Sequence, residues 1–168
     1  PVTPPIYKAR TLREQLEQLA APMALAREET QGRERCLACG HRCLIPPGRA
    51  GVCKVRFNRA GVLYGPRGYV AGLQDDPIEK KPFFHALPGT RALSFGLLGC
   101  DFHCGYCQNW VTSQALRDEA AGAAIHPISA EELVVHAKQR GALTLTSTYN
   151  EPLITSEWAM EIFRLGKN

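Results

Sequence analysis

The sequence predicts an α/β chain, in which a small, turn-rich cysteine module precedes the opening of a parallel βα series. Three observations predict it. From Arg91 onward the pattern reads strand, loop, helix, strand, loop, helix. Residues 31–75 instead hold short apolar runs broken by Gly and Pro, including Pro46-Pro47-Gly48 and Gly51, which favours turns over long elements. All the cysteines fall in two tight groups, one in each part.

Residues 1–10 read as an extended arm. Thr11-Leu12-Arg13-Glu14 fits a capping box, with Thr11 at the N-cap and Glu14 reaching back. Leu12, Leu16 and Leu19 then share a helical face. Pro22 is expected to kink or end that helix, and a second helical stretch reaches about Thr30, so residues 1–30 read as an N-terminal helical arm. In the cysteine module of residues 31–75, Val52 to Phe57 reads as a strand. Asn58-Arg59-Ala60-Gly61 turns it into Val62-Leu63-Tyr64, and Tyr69 to Leu73 adds a third short strand. Asp76-Pro77 to Pro88-Gly89 reads as a connector, with the boundary between the two parts at residue 76. In residues 76–168, Ala92 to Leu98 is the mostly apolar run of a buried parallel strand. Ser129-Ala130-Glu131-Glu132 is a second capping box, opening a helix to about Arg140 with Gly141 as its stop. Leu143 to Ser147 is the next strand, and a helix carrying Trp158, Ile162 and Leu165 closes the chain.

Composition narrows the classes. Of 168 residues, 45% are hydrophobic and 21% charged, which is ordinary for a folded soluble domain and argues against wholesale disorder. The net charge of +4 is too small and too scattered to argue by itself for nucleic acid or a membrane surface. No secretory signal is visible, and no run of apolar residues is long enough for a membrane span. Seven cysteines cannot all pair within one chain, and two tight clusters suggest metal rather than a disulfide framework. So many thiolates predict a reducing, cytoplasmic setting.

Cys100-Asp101-Phe102-His103-Cys104-Gly105-Tyr106-Cys107 places three thiolates at the spacing Cys-x3-Cys-x2-Cys. Thiolates are soft ligands suited to iron–sulfur clusters or zinc. A cubane cluster usually takes four cysteines, so three would leave one iron open. A three-cysteine zinc knuckle completed by His103 is the competing reading. Gly99 and Gly105 are expected to let the backbone wrap closely, while Phe102 and Tyr106 are expected to exclude water, with Asn109 and Trp110 packing alongside.

Here the sequence resembles the radical S-adenosylmethionine enzymes, whose signature is Cys-x3-Cys-x-aromatic-Cys, with Tyr106 in the aromatic place. Asp76 to His85, Leu87-Pro88-Gly89 and Gly99-Cys100 through Gln108-Asn109-Trp110 resemble the pyruvate formate-lyase activating-enzyme branch. Within it, the chain is most similar to the AmmeMemoRadiSam-system radical SAM proteins, which also carry an N-terminal cysteine motif. The resemblance covers roughly residues 36–165. It implies the N-terminal part of a partial (β/α) barrel, with residues 76–168 as its first two βα units. It also implies a 4Fe-4S cluster on Cys100, Cys104 and Cys107, whose open iron binds S-adenosylmethionine. Reductive cleavage then gives a 5′-deoxyadenosyl radical that abstracts a hydrogen atom; a protein glycine is one implied target. A reductant such as flavodoxin or ferredoxin is implied as partner.

Family members carry a Gly-Gly-Glu-Pro-like motif after the second barrel strand. Here that place reads Thr148-Tyr149-Asn150-Glu151-Pro152. The resemblance makes Glu151, Asn150 and Tyr106 candidate cofactor-binding residues, with Thr146 and Thr148 as weaker ones. Asn150 tolerates unusual backbone angles more readily than Tyr149. The plainer alternative is that Glu151 serves the N-terminus of the last helix. Lys80 and Lys81 are read either as contacts to a cofactor carboxylate or as a solvated basic turn.

Cys36, Cys39, Cys43 and Cys53 give Cys-x2-Cys-x3-Cys-x9-Cys, four thiolates that suit tetrahedral zinc in a segment short of hydrophobic core. An auxiliary iron–sulfur cluster and a set of reduced cysteines without metal stay open. A barrel of this kind needs more strands than two. The chain therefore reads as a truncated or split piece, with the remaining barrel half supplied by more chain or by a partner. Two non-catalytic functions stand beside the enzyme: a zinc-binding interaction module, and an electron-transfer iron–sulfur protein.

Overall fold

A computed structural model describes residues 11–118 and 121–167; the expected arm at 1–10 lies outside them. The first helix, α1 (Leu12–Gln18), starts as its capping box predicts. The Thr11 N–H donates to Glu14 Oε2 at 2.7 Å, and the Glu14 N–H donates to Thr11 Oγ1 at 3.2 Å.

The second helical stretch does not form. The end of the first expected helix is extended as β1 (Ala20–Pro22), and the stretch after Pro22 holds β2 (Ala26–Glu28). β2 pairs antiparallel with β3 (Glu34–Cys36), which pairs in turn with β4 (Leu44–Ile45). β5 (Phe57–Arg59) and β6 (Val62–Pro66) form a hairpin, and β1 adds to its far side with Ala20 opposite Pro66 and Pro22 opposite Tyr64. Both strands made from the expected helix are sheet edges, where Pro is tolerated because one side of the strand needs no donor. Cross-strand pairing thus overrides local helix propensity.

The hairpin turn is Ala60-Gly61, both at positive φ (51° and 87°), the geometry that matches strand twist in two-residue loops. The expected strand at 52–57 contributes only Phe57. Residues 51–54 form a turn in which the Lys54 N–H donates to Gly51 O at 3.0 Å, with Lys54 at φ 67°.

The expected strand at 69–73 is two strands that leave in different directions. β7 (Tyr69–Val70) pairs with β10 (His126–Pro127), and β8 (Gly72–Pro77) pairs antiparallel with β9 (Arg91–Gly96), from Gly72 opposite Gly96 to Pro77 opposite Arg91. A boundary at residue 76 therefore cuts through a strand of the main sheet. On its other side β9 runs parallel to β11 (Ala142–Ser147), with Thr146 opposite Ser94. The βα order is as the sequence predicts: α3 (Ala130–Gln139) crosses over between the parallel strands, and α4 (Ser156–Gly166) follows β11. The Ser129 capping box closes at both ends (2.8 and 3.1 Å), and Gly141 ends α3 at φ 67°.

The architecture is mixed α/β with several small sheets. The described residues form no closed barrel, and none of their helices is long and apolar enough to cross a membrane. One core joins both parts of the chain. Leu93, Phe95, Leu97 and Leu98 pack with Leu133, Ile154, Trp158 and Ile162, but also with Leu16, Cys53, Val55 and Tyr69. Arg56 fastens the same junction. It is 1% exposed, donates from Nε to Ile154 O at 2.8 Å, and forms an ion pair with Glu157. Glu157 Oε1 also accepts the Leu25 N–H at 3.0 Å.

Candidate functional site

The buried β9 run continues through Leu97 and Leu98 and then turns at Gly99, at φ 83°. A Cβ there would lie 2.5 Å from Cys53 O and 2.7 Å from Val55 Cγ1, so only glycine fits. The next residues run from the interior into solvent. Cys100 and Asp101 are buried, Cys104 is exposed, and Cys107 is half-buried. The Cys107 N–H donates to Cys104 O at 3.1 Å, and Cys107 Sγ lies 3.6 Å from Ser113 Oγ on α2 (Trp110–Gln114).

Polar side chains fix the root of this loop. Arg117 Nη2 donates to Cys100 O at 3.1 Å and to Val52 O at 3.0 Å. Asn150 Nδ2, from the loop after β11, donates to Gly99 O at 3.0 Å. Gln114 Nε2 donates to Phe102 O at 3.1 Å. The loop therefore stands at the carboxyl end of β9, beside the carboxyl end of the parallel β11, the usual place for ligands on an open α/β sheet.

Two expectations about packing here are corrected. Phe102 and Tyr106 do not exclude water from the thiols: Tyr106 is 88% exposed, and Phe102 and Trp110 also face solvent. Among the described residues no neighbouring element covers them. Gly105 meets nothing within 4 Å of a built Cβ and does not adopt positive φ, so close wrapping rests on Gly99 alone.

Glu151 caps the 3₁₀ turn Pro152–Thr155, its Oε1 accepting the Leu153 N–H at 3.2 Å. This is the plainer of its two expected roles. The left-handed residue of the segment is Tyr149, at φ 73°, rather than Asn150. Tyr149 packs over two glycines: a Cβ on Gly96 would lie 2.9 Å from its Cβ, and one on Gly72 would lie 3.1 Å from its ring. Burial raises its phenol above the usual range, while Lys81 Nζ sits 5.5 Å from the ring centroid. Lys80 and Lys81 both turn to Asp76, at 2.7 and 3.4 Å, and Lys80 leads in holding that carboxyl below the usual range. Asn150 Oδ1 is buried with no hydrogen-bond partner among the described residues.

In the first cysteine group, Cys36 ends β3, Cys39 and Cys43 lie in the following turn, and Cys53 comes from the 51–54 turn. The Cys36 N–H donates to Cys43 O at 2.9 Å, and a Cβ on Gly51 would lie 3.5 Å from Cys43 Sγ. Burial pushes the Cys39 thiol up to about 11, with the neighbouring Asp101 carboxyl and Cys53 thiol adding to it. Burial likewise raises Cys53, which also feels Cys36. Cys53 is thus an electrostatic neighbour of both Cys36 and Cys39, and burial favours the neutral thiol at Cys39 and Cys53. His41 Nε2 lies 3.8 Å from Asp101 Oδ2. Asp101 therefore links the two cysteine groups, as Arg117 does through Val52 and Cys100.

Among the described residues, no three Cys, His, Asp or Glu side chains converge as a ready metal site. The donor chemistry fits nonetheless: three free thiols on one loop and four in the other group are the soft sets that iron–sulfur clusters and zinc take. Sequence reasoning missed Asp101 and Arg117. Asp101 occupies an unspecified place within its motif, and Arg117 lies ten residues beyond Cys107 with no local pattern to single it out.

An uncharacterized protein of Methanocaldococcus jannaschii is 41% identical to this chain over 125 residues, which cover 74% of the chain and 37% of that protein. The chain thus spans little more than a third of the length of the curated relative it matches. No family model matches the chain, and no solved structure matches it.

Proposed function

We propose that this chain carries the cluster-binding opening of a radical S-adenosylmethionine enzyme of the pyruvate formate-lyase activating-enzyme-like branch. One juxtaposition supports the reading best. Cys100, Cys104 and Cys107 follow the carboxyl end of β9, and Asn150 from the loop after the parallel β11 bonds Gly99 at the root of their loop. Two neighbouring strands so deliver a three-thiol loop and the Asn150-Glu151 segment to one end of a sheet.

The three thiolates would hold a 4Fe-4S cluster with one iron left for S-adenosylmethionine, and the bound pair supplies the electron and the radical for hydrogen abstraction. The chain's own residues bind and position. Gly99 admits the tight approach to Cys53, and Arg117 and Asn150 hold the Cys100 and Gly99 carbonyls. Asn150 Oδ1 and the Glu151 carboxylate offer acceptors for an ammonium group, and Tyr106 flanks the loop. On this reading β9, α3, β11 and α4 are the first two units of a partial (β/α) barrel, the substrate is a protein or peptide glycine, and a low-potential carrier supplies electrons.

The first cysteine group is proposed as a structural zinc site. Four free thiols from the turn after β3 and the neighbouring 51–54 turn, with the Cys36 N–H on Cys43 O, favour it, since such a set suits tetrahedral zinc.

Anaerobic reconstitution with iron and sulfide tests the reading. The expected result is iron bound with absorbance at about 400 nm, an electron-spin signal of the reduced chain that S-adenosylmethionine alters, and loss of both in Cys104→Ala. Zinc without iron would leave an interaction module. A redox-active cluster indifferent to S-adenosylmethionine would leave electron transfer.

A further inference from the structure

A basic cleft of about 900 Å³ lies between α1, residues 48–50, Lys54, the β5 hairpin and the 3₁₀ turn Ala115–Arg117. Arg13, Arg49, Lys54, Arg59 and Arg117 line it, against the single carboxylate of Glu17. Several cations elsewhere are matched: Arg27 and Arg35 pair with Glu29, Arg67 with Glu161, Arg91 with Asp75, and Lys80 and Lys81 with Asp76. In the cleft, Arg59 stacks over Phe57 and Tyr64 and Arg117 is held by carbonyls. No carboxylate pairs with Arg13, Arg49 or Lys54 among the described residues. Gathering like charges without counter-charge is unfavourable in the free protein and favours an anionic partner.

The lining decides the kind of partner. Small-ligand pockets are mostly apolar with a few convergent polar groups. This cleft is open and carries long cationic side chains, the pattern that steers and registers an acidic protein face. Its position decides which protein. Arg117 on its wall donates to Cys100 O and Val52 O, and Lys54 directly follows Cys53. A partner seated there meets Arg117, whose guanidinium bonds the backbone of both cysteine loops.

We infer that this cleft docks an acidic one-electron carrier protein that reduces the Cys100–Cys107 loop's cluster. The inference rests on that loop holding a cluster, as proposed above. The carrier loses one electron and the cluster gains it; no bond breaks and no proton moves.

Flavodoxin, an acidic flavin protein, is the probe. The double variant Arg13→Glu/Arg49→Glu should weaken its binding about tenfold at low salt and flatten the salt dependence. Reduction of the reconstituted chain by flavodoxin should slow by a similar factor. Reduction by dithionite, which needs no docking, should keep the wild-type rate. Arg13→Gln/Arg49→Gln should fall between wild type and the reversal, which separates charge from misfolding. Undiminished flavodoxin binding and reduction in both variants would overturn the docking site and leave the cluster reading intact. So would loss of binding to a short RNA oligonucleotide with flavodoxin unaffected. A wild-type chain that takes up no iron would overturn both.

Discussion

Cys36 and Cys53 are buried, while Cys104 stands in solvent on a loop whose aromatic residues are also exposed. The first group is built from turns that the β3–β4 hairpin and the 51–54 turn fold onto one another, and Cys53 lies within electrostatic reach of Cys36 and Cys39. The second hangs from a rigid root, at Gly99 and Cys100, and opens towards its tip. Neither group converges as a ready metal site among the described residues, so the difference lies in burial and in what supports each loop. The comparison also shows that the two regions share a foundation. Cys53 O faces Gly99, Arg117 bonds both loops, and Asp101 sits beside Cys39.

The largest expected effect breaks that foundation. Glu157→Gln leaves the Arg56 guanidinium buried without its counter-charge and should cost about 4 kcal/mol in urea denaturation. Burial alone would raise the Glu157 carboxyl, but Arg56 holds it below the usual glutamate range. A carboxyl lowered in the folded state adds stability that is present above its unfolded pKa and is lost as pH falls through its folded value. Wild-type stability should therefore drop on acidification below the ordinary glutamate range, and the variant should lack this component. Equal acid profiles would show that the pair does not join the halves.

Next comes the point where the loops touch. Gly99→Ala should cost about 3 kcal/mol, from its left-handed φ and the clash with Cys53 O. Gly105→Ala, with open space around it, should lie within about 0.5 kcal/mol of wild type in the same melt. Similar losses for both would erase the distinction between rigid root and open tip.

The smallest effect compares the cysteines themselves before any metal is added. Cys53→Ala should lose about 1 kcal/mol through a buried void, and Cys104→Ala about none. Thermal unfolding of the metal-free chains reads the difference, and a Cys104→Ala variant as destabilised as Cys53→Ala would show that the second loop is part of the core.

The sequence by itself determined the local elements whose causes are local. The Thr11 and Ser129 capping boxes, the stop at Gly141, the buried run of β9 and the βα order after residue 90 all rest on neighbours a few residues apart. The grouping of the cysteines was equally legible, because their spacing is a local property. Tertiary structure decided what depends on distant partners. Residues 20–22 and 26–28 became strands because β6 and β3 pair with them, and β8 joined the main sheet because β9 offered an antiparallel edge. Asp101, Arg117 and Asn150 gained their places because chain segments far apart in sequence meet around Gly99. A residue's helical or turn preference is written in its neighbours, but a buried hydrogen bond or strand pairing depends on which distant surface is left to satisfy it.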